Sequence, residues 1–303
     1  MNYRGIQIED TYCECTDIYN ARLLLTAATE AIALHEAAYL CGWSIITAAP
    51  IQGCVEGVAP AGSTPDGRPG VLIQMNAPTP VGLPAFCRAL LDRLYILPHL
   101  PTCSLYNATV GHAAATSIDA AEHVRRWGDG FDEDARVGSR DCVRIPIMTG
   151  DQYIEKQITV SIGTDGVLEV FAQNAASCLQ GAQEAAARIV RNVDGVAVFN
   201  YPVGGISGAK VGGKTYTQEG VTINEPFCPS VRGATETKLP EGAGAVIEFP
   251  LVAAGETAIC DGLRAAIDAF ADTPGVLAIT APAFGGTWGG RKLYLRTVLK
   301  DEE

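Results

Sequence analysis

The sequence predicts an α+β protein in which one order of elements, βαββαβ, occurs twice, with a long insertion in the second copy. Short apolar runs typical of strands alternate with Ala-rich segments whose apolar residues recur at helical spacing. The same order of elements can be read in both halves although the letters barely match, which indicates a duplication. This order is that of the split βαβ, or ferredoxin-like, unit. We therefore expect two ferredoxin-like lobes.

The first predicted lobe spans residues 1–149. Its strands are expected at 21–27, 43–50, 71–75 and 94–98, and its helices at 29–41 and 82–94. Thr29 stands directly before the first helical run and can cap that helix. Pro84 is tolerable in the first turn of the second helix. Between the second and third strands lies a Gly- and Pro-rich stretch that predicts a loop.

The second predicted lobe spans residues 150–303 and begins with a hairpin strand at 153–162. Its further strands are expected at 166–173, 195–200, 244–252 and 275–281, and its helices at 177–193 and 256–272. The second and third strands of this βαββαβ unit are separated by an inserted loop, residues 201–243. Loops of this length inside compact domains tend to be functional or disordered.

Composition and charge narrow the class of partner. The 303 residues are 48% hydrophobic and 18% charged, which is typical of a globular protein. A net charge of -12 with no basic run argues against nucleic acid or an anionic membrane as partner. The N-terminus resembles no signal peptide and no apolar run reaches membrane-spanning length, so we expect a cytoplasmic protein.

The ten cysteines are scattered along the chain. They form no C-x-x-C pair, and no His stands close enough to a Cys pair to suggest zinc. We interpret them as reduced thiols and predict no metal site. Several lie on apolar helix faces, where free Cys is commonly a small buried hydrophobe.

The inserted loop contains GAKVGGKT, residues 208–215, which matches the phosphate-loop pattern G-x-x-x-x-G-K-[ST] in every letter. A working phosphate loop needs a strand directly before its glycines and a helix directly after its Lys-Thr. The strand-like run ends at Asn200, and the letters after Thr215 are poor helix formers. Nucleotide binding is therefore only the less favoured alternative.

The same loop offers side chains for a small anionic ligand. Lys210 and Lys214 can meet carboxylates or phosphate, and Gly-rich backbone can approach a ligand closely. Tyr216 and Asn224 add an aromatic anchor and a polar group. The alternative interpretation of the segment is a disordered tether.

Two further residues draw attention by their setting. Glu248 is the single carboxylate in the apolar run AVIEFPL, so it lies either on a solvated strand face or in a cleft where it can exchange a proton. Arg68 lies in the turn-like TPDGRPG, residues 64–70. It can pair with Asp66 structurally or line a site, and the sequence leaves both open.

Several blocks together resemble the formylmethanofuran:tetrahydromethanopterin formyltransferase family, nearly end to end. They are GIQIEDTY near the start, TPDGRPGV at 64–71, LLDRL at 90–94, GDGF at 128–131, GGI at 204–206, KVGGK at 210–214, CPSV at 228–231, LPEG at 239–242 and PGV…FGG at 274–286. TPDGRPGV and the order of the blocks carry the resemblance. It implies a one-carbon enzyme of two ferredoxin-like lobes, acting in methanogenesis or methylotrophy.

The resemblance also implies substrates, partners and a catalytic residue. The family moves a formyl group between a methanofuran-type coenzyme and tetrahydromethanopterin, and its catalytic carboxylate corresponds to Glu248. The GGI block places Gly204 and Gly205 at the coenzyme cleft. No metal and no tightly bound cofactor is implied. The family is normally a homotetramer, or a subunit of a formyltransferase/hydrolase complex. The alternative function is a non-catalytic structural subunit of such a complex.

Overall fold

The computed structural model describes residues 1–42, 50–109, 114–125, 128–207, 225–282 and 289–299. The strands in these ranges are β1 (Asn2–Tyr3), β2 (Ile6–Ile8), β3 (Tyr12–Cys15), β4 (Asp17–Thr26), β5 (Gln52–Ala59), β6 (Gly70–Pro78), β7 (Ser104–Asn107), β8 (Ala114–Asp119), β9 (Glu133–Val137), β10 (Arg140–Ile147), β11 (Gly150–Glu155), β12 (Gln157–Ala172), β13 (Val196–Val198), β14 (Ala245–Ala253), β15 (Val276–Thr280) and β16 (Arg291–Tyr294). The helices are α1 (Glu30–Cys41), α2 (Leu83–Leu94), α3 (Ala120–Val124), α4 (Ala175–Asn192), α5 (Glu256–Ala271) and α6 (Leu295–Val298). The protein is α+β.

The chain divides into two compact units. The discontinuous unit joins Met1–Thr16 to Thr164–Glu303, and the continuous unit is Asp17–Gly163. This grouping differs from the predicted division after residue 149. The physical reason is strand pairing, because β2 pairs in parallel with β15 and β3 pairs antiparallel with β16, which ties the N-terminal strands to the last part of the chain.

The discontinuous unit is built on a sheet with the strand order β2-β15-β12-β14-β13. Along the chain its central elements follow the order β12, α4, β13, β14, α5, β15. The side chain of Asn174 caps α4 by accepting the backbone N–H of Ser177. The buried residues of α4 and α5 recur at helical spacing, so each helix turns one apolar stripe towards the sheet.

The continuous unit has the strand order β5-β6-β4-β7-β11-β10-β9. Its first elements follow the chain order β4, α1, β5, β6, α2, β7. The predicted cap is confirmed, since the Thr29 hydroxyl accepts the N–H of Ile32 at the start of α1. No helix in the described ranges is long and apolar enough to cross a membrane.

The continuous unit departs from the sequence prediction between α1 and β7. The predicted strand at 43–50 lies outside the described residues, except for Pro50. The Gly- and Glu-containing segment after it, predicted as a loop, is strand β5. The predicted strand at 94–98 is wrong, because these residues end α2 and enter a 3-10 helix at Leu97–His99, and the strand is β7 instead. A short apolar run can be a strand or a buried turn of helix, and here Leu97 is buried in the helical form.

Candidate active site

Glu248 lies on the sheet face opposite the helices of the discontinuous unit. Its neighbour Phe249 points towards the helices, where its ring meets Phe270 of α5 edge-on at a centroid distance of 5.4 Å. Successive side chains of a strand point to opposite faces of the sheet. Glu248 therefore points away from α5, and its side chain is only partly buried.

A second carboxylate stands directly beside Glu248. The antiparallel register of β12 and β14 pairs Glu169 with Glu248, and the register of β12 and β15 pairs Glu169 with Thr280. Directly opposed residues of antiparallel strands lie on the same face. The three side chains thus form a row across β14, β12 and β15. Glu169, in the middle strand, is only 6% exposed.

Burial raises the pKa of both carboxyl groups, and for Glu169 a neighbouring charge adds to the shift. Burial raises the pKa of Glu169 to about 7, with repulsion from Glu248 adding to the shift. Lys238 acts in the opposite direction, and Glu9 adds a further upward contribution. Burial also raises the pKa of Glu248. A raised pKa brings a carboxyl group closer to the pH range in which it can both donate and accept a proton.

The second part of the inserted loop, residues 225–243, which we call the covering segment, packs on the same sheet face beside the two carboxyl groups. Leu239 and Ala243 of this segment form an apolar cluster with Phe171 and Ala278 of the sheet, and Phe227 packs against it. Phe171 is two residues from Glu169 on the same strand and so shares its face. The covering segment therefore shields the sheet surface next to the two carboxyl groups from water.

The first part of the inserted loop adds backbone pairing to β14 at the site. Ile206 donates its N–H to the carbonyl of Glu248 at 2.9 Å and accepts the N–H of Glu248 at 2.9 Å. The two residues before it, Gly204 and Gly205, are buried. A Cβ on Gly205 would lie 2.5 Å from Cδ1 of Ile247. Close packing of the loop against β14 thus requires small residues here.

Backbone conformation and close packing each require glycine at position 204. Its φ is +84°, and a Cβ would lie 2.5 Å from the carbonyl oxygen of Ala182 on α4. We expect Gly204→Ala to lower the free energy of unfolding by about 2–4 kcal/mol, because strain and overpacking add. Gly233→Ala is the matched control, since φ is +94° there with no atom within 4 Å of the Cβ, and it should cost about 1 kcal/mol. Urea unfolding measures both, and equal losses would contradict the packing argument.

Four of the predicted binding residues cannot be placed. Lys210, Lys214, Tyr216 and Asn224 lie outside the described residues, as does the whole phosphate-loop match at 208–215. Their positions relative to Glu248 remain predictions.

Arg68 is found in the continuous unit, in an internal hydrogen-bond network. Its Nη2 donates to Asp66 at 2.8 Å and to Ser104 at 2.8 Å, and its Nη1 donates to the carbonyl of Thr102. Burial acts to raise the pKa of Asp66, but hydrogen bonds from Thr26 and Arg68 outweigh it and lower that pKa. Of the two interpretations left open by the sequence, this arrangement favours the structural one.

Comparison with known proteins relates this chain to one family. A profile described as formylmethanofuran-tetrahydromethanopterin formyltransferase matches residues 1–147, and one for the proximal lobe of that enzyme matches residues 150–298. The formyltransferase of Archaeoglobus fulgidus is 33% identical over 302 residues, covering 95% of this chain and 97% of the relative. The chain belongs to the formylmethanofuran:tetrahydromethanopterin formyltransferase family. The predicted family is thus confirmed.

Solved structures agree with this membership of the formyltransferase family. The Methanosarcina barkeri enzyme superposes with a TM-score of 0.89 at 29% identity, covering 98% of this chain and all of that one. A chain of the formyltransferase/hydrolase complex of Methylorubrum extorquens, solved with methylofuran, gives a TM-score of 0.86 at 26% identity, covering 99% of each chain.

Sequence reasoning about this formyltransferase family member missed Glu169. The signal was present, since Glu169 is the one carboxylate in the strand letters VLEVFA, just as Glu248 is in AVIEFP. What the letters lack is the register that sets the two opposite each other. In the part of the chain that the structure describes, no three or more His, Cys, Asp or Glu residues are grouped to hold a metal ion.

Proposed function

We propose that this protein transfers a formyl group between the amine of a methanofuran-type coenzyme and a ring nitrogen of tetrahydromethanopterin. Family membership over nearly the whole chain supports this function, as does the methylofuran in the solved complex of the related M. extorquens protein. The observation that carries the proposal is the partly buried carboxyl of Glu248, whose pKa is raised, on a sheet face covered by the inserted loop.

The chemistry calls for such a group. An amine nitrogen attacks the formamide carbonyl, a tetrahedral oxyanion forms, and the bond to the first nitrogen breaks. The attacking nitrogen loses a proton and the departing nitrogen gains one. A carboxyl group whose pKa is raised, as that of Glu248 is, can supply the second proton and take up the first. Glu248 acts as this general acid/base.

The inserted loop, residues 201–243, shapes the coenzyme cleft in this proposal. Gly204 and Gly205 let the loop backbone lie against β14. Lys210 and Lys214 bind anionic tails of the coenzymes, and Tyr216 and Asn224 complete the binding surface. Arg68 is left out of this set because its guanidinium is engaged by Asp66, Ser104 and Thr102.

We also propose that the fold consists of two duplicated ferredoxin-like lobes. The repeated βαββαβ order supports this, as do the matching strand orders β15-β12-β14-β13 and β7-β4-β6-β5. A division between lobes near residue 149 is supported by the family profiles, which meet between residues 147 and 150. We further propose a cytoplasmic enzyme without a tightly bound cofactor, working as a homotetramer or within a formyltransferase/hydrolase complex.

A direct assay tests the function. Purified protein mixed with the formylated furan coenzyme and tetrahydromethanopterin should produce formyl-tetrahydromethanopterin, measured by mass spectrometry, and the reverse reaction should run from the formylated pterin. Absence of transfer in both directions, with calorimetric binding of both coenzymes retained, would support the alternative of a non-catalytic subunit.

A further inference from the structure

We propose that Glu169 is a positioning residue for formyl transfer: its charge, placed directly across the strand pair, keeps one proton on the Glu169–Glu248 pair, available to the reacting atoms at Glu248. This inference rests on the proposed function and adds a second carboxylate to it. Glu169 acts through Glu248 and does not itself meet the coenzymes.

Strand register is the geometric basis. Glu169 and Glu248 are direct partners in a run of nine paired residues, from Thr164 opposite Ala253 to Ala172 opposite Ala245. Directly opposed residues have Cβ atoms roughly 4.5–5.5 Å apart, and like charges in such positions destabilise a sheet. A single proton held by the pair removes this repulsion. The two groups therefore titrate as a pair and not as independent carboxylates.

The difference in burial assigns the two roles. Glu169 lies on β12, between β14 and β15, and is only 6% exposed. Glu248 lies on the next strand and is half-buried, so it is the member that a coenzyme can reach. Glu169 is too enclosed to touch a substrate, but it is close enough to set the charge that Glu248 experiences.

The charged groups around the pair come from three elements. Three charged groups act on Glu169: Glu248 on β14, Lys238 in the covering segment, and Glu9, which directly follows β2. Lys238 also lies over the ring of Phe227, with Nζ 5.7 Å from the ring centroid. The negative charge of one carboxylate favours retention of a proton by the other, whereas the ammonium group of Lys238 favours loss of that proton. Glu169 and Lys238 therefore shift the titration of the pair in opposite directions.

The proton balance closes over one transfer. The attacking amine nitrogen forms the new carbon–nitrogen bond first and still carries its proton in the tetrahedral intermediate. Glu248 then gives its proton to the departing amine nitrogen as the old carbon–nitrogen bond breaks, and as a carboxylate it takes up the proton of the attacking nitrogen. The pair ends with one proton, as it began, and no other reactant is needed.

The pH dependence of kcat/KM tests the role of Glu169. We expect Glu169→Gln to move the high-pH loss of activity to lower pH by about one unit or more, because an ionised Glu169 no longer favours the protonated form of Glu248. Lys238→Met should move the same limb to higher pH, because a cation that favours ionisation is gone. Opposite shifts from two variants are not expected from a general loss of structure.

Two controls separate this inference from the proposed function. Glu184→Gln removes an exposed carboxylate from α4, on the helix-covered side of the sheet, and should leave the profile unchanged. Glu248→Gln should abolish most activity. If Glu248→Gln is inactive but Glu169→Gln keeps the wild-type profile, the role of Glu169 is wrong and the proposed function stands. If Glu248→Gln is fully active, the acid/base assignment itself is wrong.

A measurement on the unaltered protein covers the case in which Glu169→Gln does not fold. Carbon-13 NMR of protein labelled at the glutamate side-chain carboxyls should show two coupled titrations, one of them near pH 7. Ordinary glutamate titration of every carboxyl would overturn the proposal.

Discussion

Replacing Glu248 with glutamine is expected to lower the rate of formyl transfer by about 10²–10⁴-fold, the range for loss of a general acid/base. Glutamine keeps the size of the side chain and its place on β14 but cannot release or take up a proton at neutral pH. The expected loss should therefore lie in kcat, with coenzyme binding largely retained. Steady-state kinetics with each coenzyme varied in turn measure both quantities.

A matched control for this experiment is Glu184→Gln. Glu184 is an exposed carboxylate on α4, on the helix-covered side of the sheet and away from the face that carries Glu248. It should leave the rate within about twofold, since surface substitutions away from special features have small effects. A Glu248→Gln variant with unchanged turnover would show that the proton is handled elsewhere.

The second large effect is expected on stability, at Glu56 in the continuous unit. Glu56 is 1% exposed. Its carboxylate accepts hydrogen bonds from Nε and Nη2 of Arg22, and its Oε2 accepts a hydrogen bond from Gln74 at 2.9 Å. A register shift between Val55 and Gly57 marks an irregularity of β5 at this residue. The carboxylate is thus fixed in a buried polar network.

We expect Glu56→Ala to lower the free energy of unfolding by about 3–5 kcal/mol, because it leaves the charge of Arg22 buried without this partner. The double variant Arg22→Met with Glu56→Leu should recover much of that loss, since apolar pairs often replace buried ion pairs at little cost. Denaturant unfolding measures all three proteins.

Asp141→Ala provides the matched control in the same unit. Asp141 pairs with Arg136 at 3.2 Å, but their side chains are 71% and 69% exposed. Exposed pairs contribute little, so the variant should change stability by less than about 1 kcal/mol. A loss at Glu56 no larger than the loss at Asp141 would show that burial does not control the cost.

Much of the fold could be predicted from local pattern. Apolar spacing predicted the helices α1, α2, α4 and α5, and the place of Thr29 directly before α1 predicted its role as the N-cap. Prediction failed where local signals are weak. Strand β5 contains glycines and a buried Glu56, which local propensity does not favour in a strand, and only pairing with β6 explains it.

The assignment of compact units shows the same limit. Nothing in the letters of β2 indicates a partner, and yet Ile6–Ile8 pairs with β15 near the other end of the chain. Pairing between distant segments depends on which edges the sheet leaves available, and local sequence does not encode that. A continuous division after residue 149 was therefore the natural prediction, and the spatial units differ from it.

For the site, the letters alone were enough to predict the family, which the comparisons confirm, and to single out Glu248 as the candidate catalytic residue. The sequence also set the alternation that turns Glu248 away from Phe249 and the helices, because this alternation is a local property of a strand. The position of Glu169 opposite Glu248, and of the covering segment on the face beside them, follows from three-dimensional contacts that the letters do not reveal. Register and burial arise from contacts between distant parts of the chain. Burial raises the pKa of both carboxyl groups, and the register adds repulsion from Glu248 to the shift at Glu169.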